Sequence, residues 1–306
     1  MKQYAFIFPG QGSQSVGMGK DFYENEPLAK EFISQASDVL SFDFKDLLFT
    51  QNDKLNLTQY TQSAIFLVSF IAHKIFSKEC EIVPKLCFGH SLGEVSAFII
   101  AGGASFENGL RLTFKRGELM ARACEGQDAG MMVVVGLQES VLQDFCKEKQ
   151  DIWCANYNDD RQIVLAGKKS TLSSAEGALK ELGAKLTLLL PMSVASHCPM
   201  LDSIKEEFAN LLANLLKPQA QYEIISNVTT QGYTTKQEAK ELLCAQLTSP
   251  VLYAQCVQKV DAQVDGFIEF GNGTVLKGLN KRLSQKPTLS VSNMATLAES
   301  INILQS

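Results

Sequence analysis

The sequence predicts an α/β fold in which a small domain is inserted into a larger one. Short apolar segments at 4–8, 86–89 and 266–270 alternate with longer helical patterns, which is typical of strands and helices in α/β proteins. Between 126 and 194 the units become shorter and follow the order β-α-β-β-α-β, the ferredoxin-like arrangement. With 306 residues, of which 45% are hydrophobic and 20% charged, the chain can bury a substantial core.

The N-terminal part begins with an apolar and aromatic run at 4–8 that a Pro-Gly pair ends. This pattern predicts a buried strand leading into a glycine-rich loop at 10–19. Helical patterning dominates from 27 to 77, and its longest apolar stretch starts at Thr58. That stretch predicts a largely buried helix.

The next elements are a strand at 86–89 and a helix that starts immediately after it, at Ser91. A further helix is predicted over 106–124, and the segment 125–130 breaks the helical pattern. This strand, tight turn and helix are the context in which the chemistry of Ser91 is considered below.

The inserted domain is predicted over 126–194, which leaves 1–125 and 195–306 for the larger domain. Its predicted elements are a strand at 131–135, a helix at 138–149, strands at 152–156 and 162–166, a helix at 170–182 and a strand at 185–190. Strands near 223–226 and 266–270 would complete the larger domain.

Composition and charge exclude several classes of protein. A net charge of −5 without blocks of like charge disfavours nucleic-acid binding. The N-terminus has no basic region or cleavage site, and no apolar stretch is long enough to span a membrane, so we expect a cytoplasmic protein. Eight cysteines without a Cys-x-x-Cys pair and three histidines disfavour a structural metal and indicate reduced thiols.

Residues 89–93 read Gly-His-Ser-Leu-Gly, a match to Gly-x-Ser-x-Gly between a predicted strand and a predicted helix. The serine of this pattern adopts strained backbone angles, which only glycine neighbours tolerate. Ser91 is therefore a candidate nucleophile, and its position at a helix N-terminus makes Leu92 N–H a candidate oxyanion donor. The alternative is that Ser91 merely caps the helix.

A serine hydroxyl needs a base to take its proton, and the chain has three histidines. His73 lies within the predicted apolar helix, and His90 adjoins the serine on a turn that points neighbouring side chains apart. His197 lies in a predicted loop, where catalytic groups concentrate, and is the candidate base. The group that orients it stays open here: Asp202, Glu269, a backbone carbonyl or an amide side chain.

The glycine-rich loop has two interpretations. Gly10-x-Gly12 after the first strand is the start of a dinucleotide fingerprint, but Ser15 occupies the third glycine position and no acid follows at the required distance. A dinucleotide site is therefore disfavoured. We expect the loop to lie beside Ser91 and to contribute Gln11 N–H as a second oxyanion donor.

Nine segments occur in a fixed order along the chain: Phe8-Pro-Gly-Gln-Gly-Ser-Gln14, Gly89-His-Ser-Leu-Gly-Glu94, Arg116-Gly117, Asn156-Tyr-Asn158, Gln162-Ile-Val-Leu-Ala-Gly167, Ser196-His197, Asn227-Val-Thr229, Gln246-Leu-Thr-Ser-Pro250 and Glu269-Phe-Gly-Asn-Gly273. Together they resemble the malonyl-CoA:acyl carrier protein transacylase family over roughly residues 3 to 282. The resemblance implies an α/β-hydrolase-like large domain that carries the ferredoxin-like domain as an insertion.

The resemblance also implies a role for matched residues. Ser91 would be acylated, His197 would act as general base and acid, and the carbonyl of Gln246 would orient His197 in place of a carboxylate. Arg116 would pair with the free carboxylate of a malonyl group, a task that suits a planar guanidinium fork. Without the resemblance, a surface arginine is the alternative. The same substrate pocket would include Met120 and Asn156.

The implied activity is a ping-pong transfer of the malonyl group from malonyl-CoA to the phosphopantetheine thiol of acyl carrier protein, for fatty-acid biosynthesis. No metal or redox cofactor is expected, because coenzyme A is part of the substrate and a product. We expect a monomer. The rival functions are a serine hydrolase or thioesterase with the same elbow, and a non-catalytic module that binds carrier protein. Two segments depart from the family pattern, 159–161 and Asn272, where the family tends to have proline or glycine.

Overall fold

The computed structural model describes residues 2–305, and over this range the chain forms two β-sheets with helices packed around them. The strands are β1 Tyr4–Phe8, β2 Leu86–Gly89, β3 Ala129–Val135, β4 Ile152–Asp159, β5 Gln162–Lys168, β6 Leu186–Leu189, β7 Gln219–Ile225, β8 Gly232–Thr235, β9 Gly266–Phe270 and β10 Thr288–Val291. The α-helices are α1 Lys20–Asn25, α2 Pro27–Leu40, α3 Phe44–Phe49, α4 Thr58–Glu79, α5 Leu92–Phe98, α6 Phe106–Cys124, α7 Glu139–Lys147, α8 Lys169–Glu181, α9 Lys205–Leu215, α10 Lys236–Gln246, α11 Tyr253–Asp261, α12 Val275–Leu283 and α13 Met294–Gln305. A π-helical segment, Ile99–Gly103, continues α5, and short 3-10 helices lie at Lys54–Asn56 and Pro199–Ile204.

The larger sheet has the strand order β10-β9-β1-β2-β7-β8. Its pairings are parallel except for the antiparallel pair β7 and β8. The central strands β1 and β2 are buried at every position, which explains why they read as continuous apolar runs. Because parallel strands end at the same edge, the loops after β1, β2 and β7 meet there and bring Gln11, Ser91 and Asn227 together.

Helices α4 and α6 pack beside this edge. Residues 61–72 of α4 are buried at every position, which confirms the predicted buried helix. The two helices approach closely at Gly117 of α6, where a Cβ would lie 2.5 Å from Gln59 Cα. Glycine is therefore required for α6 to take the position that presents Arg116 to the sheet edge.

The smaller sheet has the order β4-β5-β3-β6, and its pairings are antiparallel. With α7 and α8 packed on one face, its elements follow the predicted order β-α-β-β-α-β, with ends shifted by a few residues. The sheet is joined to the rest of the chain through Val251: Tyr157 N–H donates to its carbonyl, and its own N–H donates to Ala155 O, both at 2.8 Å.

The α/β class predicted from the sequence is confirmed, and the differences lie at the edges. The edge strands β8 and β10 were not predicted, because four-residue strands give little periodic signal. Strand β7 begins at Gln219, earlier than the predicted 223. Within residues 2–305, no helix is both long enough and apolar enough to cross a membrane.

Candidate active site

Ser91 lies in the sharp turn between β2 and α5, with φ 54° and ψ −104°. A Cβ on Gly89 would lie 2.4 Å from Phe8 O, and one on Gly93 would lie 1.9 Å from the same atom. The two glycines therefore let the turn pack directly against the end of β1. The Ser91 hydroxyl makes no capping hydrogen bond to α5, so the cap alternative does not describe it.

The hydroxyl of Ser91 instead contacts His197, with 2.7 Å between Oγ and Nε2. On the other side of the ring, Nδ1 lies 2.7 Å from the carbonyl oxygen of Gln246 at the end of α10. A carbonyl only accepts hydrogen bonds, so Nδ1 carries the proton and Nε2 is left to accept from the serine. The structure thus brings Ser91, His197 and Gln246 together in the arrangement that the resemblance implied.

Neither carboxylate considered as an orienting group has that role. Asp202 forms an ion pair with Lys205, at 3.2 Å. Glu269 accepts the backbone N–H groups of Leu276 and Lys277 at the start of α12, both at 2.9 Å. The carbonyl is therefore the alternative that the geometry supports.

Burial and, to a smaller extent, the positive charge of Arg116 together lower the pKa of His197 to about 3. The hydrogen bond to the Gln246 carbonyl acts in the opposite direction. His197 is consequently neutral at neutral pH, which is the form that can accept the serine proton.

The other two histidines take different positions. His73 packs edge-on against Phe6 and Phe270, with ring centroids 5.8 and 5.4 Å away, and burial lowers its pKa to about 3. His90 directs Nε2 to Asn158 Oδ1 at 2.8 Å, away from the serine hydroxyl. His197 is the histidine in contact with Ser91, as elimination predicted.

Arg116 is buried, with 1% of its surface exposed, so the alternative of a surface arginine is wrong. One terminal nitrogen donates to Gln62 Oε1 at 2.8 Å, and the other reaches Gln246 Oε1 at 3.0 Å and Ser91 Oγ at 3.3 Å. Its Nε is buried and has no hydrogen-bond partner among the described residues. Burial lowers the pKa of Arg116 to about 10, against the opposing effect of Glu94, so the guanidinium is charged at neutral pH.

These side chains line a pocket of about 70 Å³. Its lining residues are Gln11, His90, Ser91, Leu92, Arg116, Met120, Met131, Asn156, Leu190, Met192, Ser196 and His197. Every site residue predicted from the sequence belongs to this lining except Gln246, which lies behind His197.

Two of the lining residues offer hydrogen-bonding groups to a ligand. Asn156 Oδ1 is buried and has no protein partner among residues 2–305, so it is a free acceptor beside the pocket. Leu92 is the first residue of α5, where backbone N–H groups have no partner in the helix.

Three polar residues contact these groups although no role was predicted for them. Gln62 accepts from Arg116, and Glu94 and Asn227 lie beneath Ser91. Asn227 Oδ1 accepts the Ser91 N–H at 2.8 Å, and its Nδ2 donates to Gly89 O at 2.8 Å. Their positions could have indicated a role in the site. Gln62 and Glu94 are polar residues inside apolar helices, and Asn227 follows the end of a strand.

The two departures from the family pattern form tethers. Asn272 Nδ2 donates to Ser13 O at 2.6 Å and to Ser15 Oγ at 2.9 Å, which fixes the glycine-rich loop. Asp159 accepts from Arg282 Nε at 2.6 Å.

In the part of the chain that the structure describes, no three His, Cys, Asp or Glu side chains are grouped so as to hold a metal ion.

Comparison with sequence families gives a match over residues 5–298 to a model described as acyl transferase domain. A malonyl CoA-acyl carrier protein transacylase of Salmonella typhimurium is 35% identical over 300 residues, 96% of each chain. One of the same name from Bacillus subtilis is 35% identical over 312 residues, covering 100% of this chain and 98% of the relative.

Solved structures give the same picture. The malonyl-CoA:acyl carrier protein transacylase of Helicobacter pylori superposes with a TM-score of 0.99 at 49% identity, over 100% of this chain and 99% of the other. A malonyl-transacylase solved in complex with its type II PKS acyl-carrier protein superposes with a TM-score of 0.95 at 32% identity, over 98% and 99% of the two chains.

Proposed function

Because the chain belongs to the acyl transferase family, we propose that this acyltransferase moves a malonyl group from malonyl-CoA to the phosphopantetheine thiol of acyl carrier protein, in fatty-acid biosynthesis. The observation that carries the proposal is the position of Ser91 Oγ, 2.7 Å from His197 Nε2 and 3.3 Å from a terminal nitrogen of Arg116. A nucleophile with its base on one side and a buried cation on the other fits a carboxylated acyl group.

In the first half-reaction, Ser91 Oγ attacks the thioester carbonyl while His197 Nε2 takes the hydroxyl proton. The imidazolium is stabilised by the Gln246 carbonyl at 2.7 Å, and it returns the proton to the sulfur of coenzyme A as the C–S bond breaks. In the second half-reaction, His197 takes the proton of the carrier thiol. The thiolate attacks the malonyl ester, and the proton returns to Ser91 as its oxygen leaves.

The tetrahedral intermediates carry an oxyanion that needs donors. We assign this role to Leu92 N–H, at the start of α5, and to Gln11 N–H, in the loop after β1, since both residues line the pocket with Ser91. The positive end of α5 adds to the stabilisation.

Arg116 selects the acyl group in this proposal. Its Nε and the terminal nitrogen near Ser91 form the fork that a carboxylate accepts from, and Met120 lies beside the fork in the pocket. Within the described part of the chain, Nε and Asn156 Oδ1 have no partner, so Nε can donate to the substrate and Asn156 Oδ1 can accept from it. The bound carboxylate also neutralises the charge that lowers the pKa of His197. A malonyl group therefore makes the imidazole a better base than an acetyl group does.

Membership of the acyl transferase family also bears on how the chain is divided into domains. We infer an α/β-hydrolase-like catalytic domain, 1–125 and 195–306, with a ferredoxin-like domain, 126–194, inserted; the separate sheets and their strand orders support this. The enzyme needs no cofactor, because coenzyme A arrives and leaves with the substrate. We propose that it acts as a monomer in the cytoplasm.

The test is incubation with radiolabelled malonyl-CoA, with and without carrier protein, followed by intact mass measurement. We expect one malonyl group on the protein without carrier, its loss to malonyl-carrier when carrier is added, and no labelling of Ser91→Ala. Free malonate without malonyl-carrier would instead support a thioesterase. Absence of any label on the wild-type protein would support a non-catalytic carrier-binding module.

A further inference from the structure

Glu94 is a carboxylate with no exposed surface, directly beneath the nucleophile in the first turn of α5. Its Oε2 accepts from Asn227 N–H at 2.9 Å and from Gln246 Nε2 at 2.6 Å, and its Oε1 accepts from the Tyr233 hydroxyl at 3.0 Å. The three donors are neutral. A buried charge without a directly bonded cation is costly, so its retention beneath Ser91 calls for a role.

Two of the residues that donate to Glu94 also hold the strained backbone of Ser91. Glu94 accepts the backbone N–H of Asn227, and the side chain of Asn227 accepts the Ser91 N–H through Oδ1 at 2.8 Å. The side chain of Gln246 donates through Nε2 both to Glu94 and, at 3.1 Å, to the Ser91 carbonyl. Glu94 thereby acts on the angle at which Ser91 presents its hydroxyl.

Gln246 extends this effect to the other two site residues. An ionised carboxylate only accepts, so it fixes Nε2 of Gln246 on its own side and leaves Oε1 to accept from Arg116 at 3.0 Å. The backbone carbonyl of Gln246 holds His197. Base, nucleophile and acyl-selecting cation are therefore each one residue removed from Glu94.

We propose that Glu94 is a positioning residue whose ionised carboxylate orients Asn227 and Gln246 and through them sets Ser91, His197 and Arg116 in their reactive geometry. The inference rests on the proposed function for the identity of the acyl group, but not for the reactivity of Ser91. A neutral reagent that labels active serines, such as a fluorophosphonate, therefore tests it independently of malonyl transfer.

If the ionised form of Glu94 positions Ser91, the rate at which Ser91 is labelled should depend on pH. Burial raises the pKa of Glu94 to about 7, against its three hydrogen bonds and Arg116. Among the described residues, the other ionisable groups facing it are Arg116 from α6, Tyr233 from β8 and Cys256 from α11. Burial raises the pKa of both Tyr233 and Cys256, so the two stay neutral. The labelling rate should thus fall as pH falls through about 7, while His197 stays neutral.

Glu94→Gln is the matching variant, because its amide oxygen can still accept from Asn227 and Gln246 while its NH₂ faces a hydroxyl that can rotate to accept. Glu269→Gln is the control, since Glu269 is equally buried and its pKa is also raised to about 7, but it holds only the backbone of α12. Both variants lose a buried charge. Of the two carboxylates, only that of Glu94 is hydrogen-bonded to residues that hold Ser91, His197 and Arg116.

The experiment measures Ser91 labelling by a fluorophosphonate from about pH 5.5 to 9, malonyl-CoA kinetics, and urea unfolding. For Glu94→Gln we expect the labelling rate and kcat to fall roughly tenfold or more at high pH, with KM little changed. The decrease in labelling rate below about pH 7, which we call the acid limb, should be lost. Glu269→Gln should lose stability and keep both rates. Wild-type labelling in Glu94→Gln, or survival of its acid limb, overturns the proposal.

Tyr233→Phe keeps the test decisive if Glu94→Gln does not fold. The Tyr233 hydrogen bond lowers the pKa of Glu94, so its removal should move the acid limb of labelling to higher pH. An unmoved limb overturns the proposal. If wild-type protein labels with the fluorophosphonate but transfers no malonyl group, the proposed function fails while the role of Glu94 stays under test.

Discussion

The two sheets contribute opposite kinds of surface to one pocket. On the side of the six-stranded sheet, Ser91, Arg116 and His197 are hydrogen-bonded to one another or to Gln246. These bonds converge on a buried carboxylate, Glu94. The nucleophile, the base and the guanidinium on this side are therefore each held by at least one hydrogen bond to another side chain or to a backbone carbonyl.

On the side of the four-stranded sheet, the lining is mostly apolar, through Met131, Leu190 and Met192, and the Asn156 amide oxygen has no hydrogen-bond partner among residues 2–305. In the proposed mechanism, the reaction and the selection of the acyl group therefore belong to residues on the side of the larger sheet. The smaller sheet covers the pocket and leaves one acceptor free for substrate. Substitutions on the two sides should therefore change different kinetic quantities.

The largest effect that separates the two sides is expected for Arg116→Ala. Malonyl transfer should weaken by about 3 kcal/mol, or roughly a hundredfold, because the buried ion pair with the substrate carboxylate is lost. Use of acetyl-CoA should rise, because removing the guanidinium relieves one cause of the low pKa of His197. Competition between malonyl-CoA and acetyl-CoA, read as acyl-Ser91 by mass, measures both changes.

The control for this variant is Arg111→Ala on the same helix. Arg111 is exposed, and within residues 2–305 its side chain forms one hydrogen bond, to Asn108 Oδ1 at 3.5 Å. Its acyl preference should stay that of the wild type. If Arg116→Ala keeps the malonyl preference, acyl selection does not belong to the larger sheet.

A smaller effect is expected for Asn156→Ala on the other side of the pocket. Loss of one hydrogen bond to the substrate should cost about 1 kcal/mol, or roughly fivefold in kcat/KM, mainly through KM. Labelling of Ser91 by a small fluorophosphonate should be unchanged, because that reagent has no N–H or O–H group for the Asn156 oxygen to accept from. Steady-state kinetics with malonyl-CoA and the labelling rate together distinguish a binding contact from a part of the reacting machinery.

Tyr157→Phe is the matched control, because its hydroxyl lies on the opposite face of β4 and accepts from Gln143 at 3.1 Å. It should leave KM unchanged. A fall in kcat for Asn156→Ala with wild-type KM would place chemistry on the smaller sheet and break the comparison.

The parts of the site that could be predicted from the sequence are those that depend on local steric constraints or on residue types that are rare in the chain. The nucleophile turn was predictable because the pattern requires glycine on both sides of the serine, and Gly89 and Gly93 do lie too close to the β1 backbone for any side chain. His197 was found because only three histidines exist. The first inference depends on residue identity over a short segment, and the second on the composition of the chain.

The remaining parts of the site depend on groups that leave no local signature. The residues alone could not identify Gln246, because every residue has a carbonyl; the family resemblance supplied it. Glu94 could not be assigned because its donors come from the loop after β7, from β8 and from α10, which meet only in the folded chain. The strands β8 and β10 escaped prediction for a related reason, since a short edge strand is defined by its neighbour rather than by its own pattern.

The smallest effect concerns how the smaller sheet is attached. Arg282 on α12 donates through Nε to Asp159 Oδ2 at 2.6 Å and through a terminal nitrogen to Gln162 Oε1 at 3.1 Å, and it ties the end of β4 to the larger sheet. Arg282→Ala should cost about 1 kcal/mol of local stability, because the arginine is half exposed and Asp159 keeps the N–H of Arg161 as a donor. Amide hydrogen exchange should quicken over 152–168 while kcat and acyl preference stay unchanged.

Lys168→Ala provides the reference for that last measurement, because it breaks an exposed ion pair with Asp151 in the same sheet and should cost less than about 0.5 kcal/mol. Faster exchange in Arg282→Ala alone would mean that the covering sheet can loosen without disturbing the reacting groups. A matching fall in Ser91 labelling would mean that the position of the smaller sheet also sets the nucleophile, and the division of labour between the sheets would then be wrong.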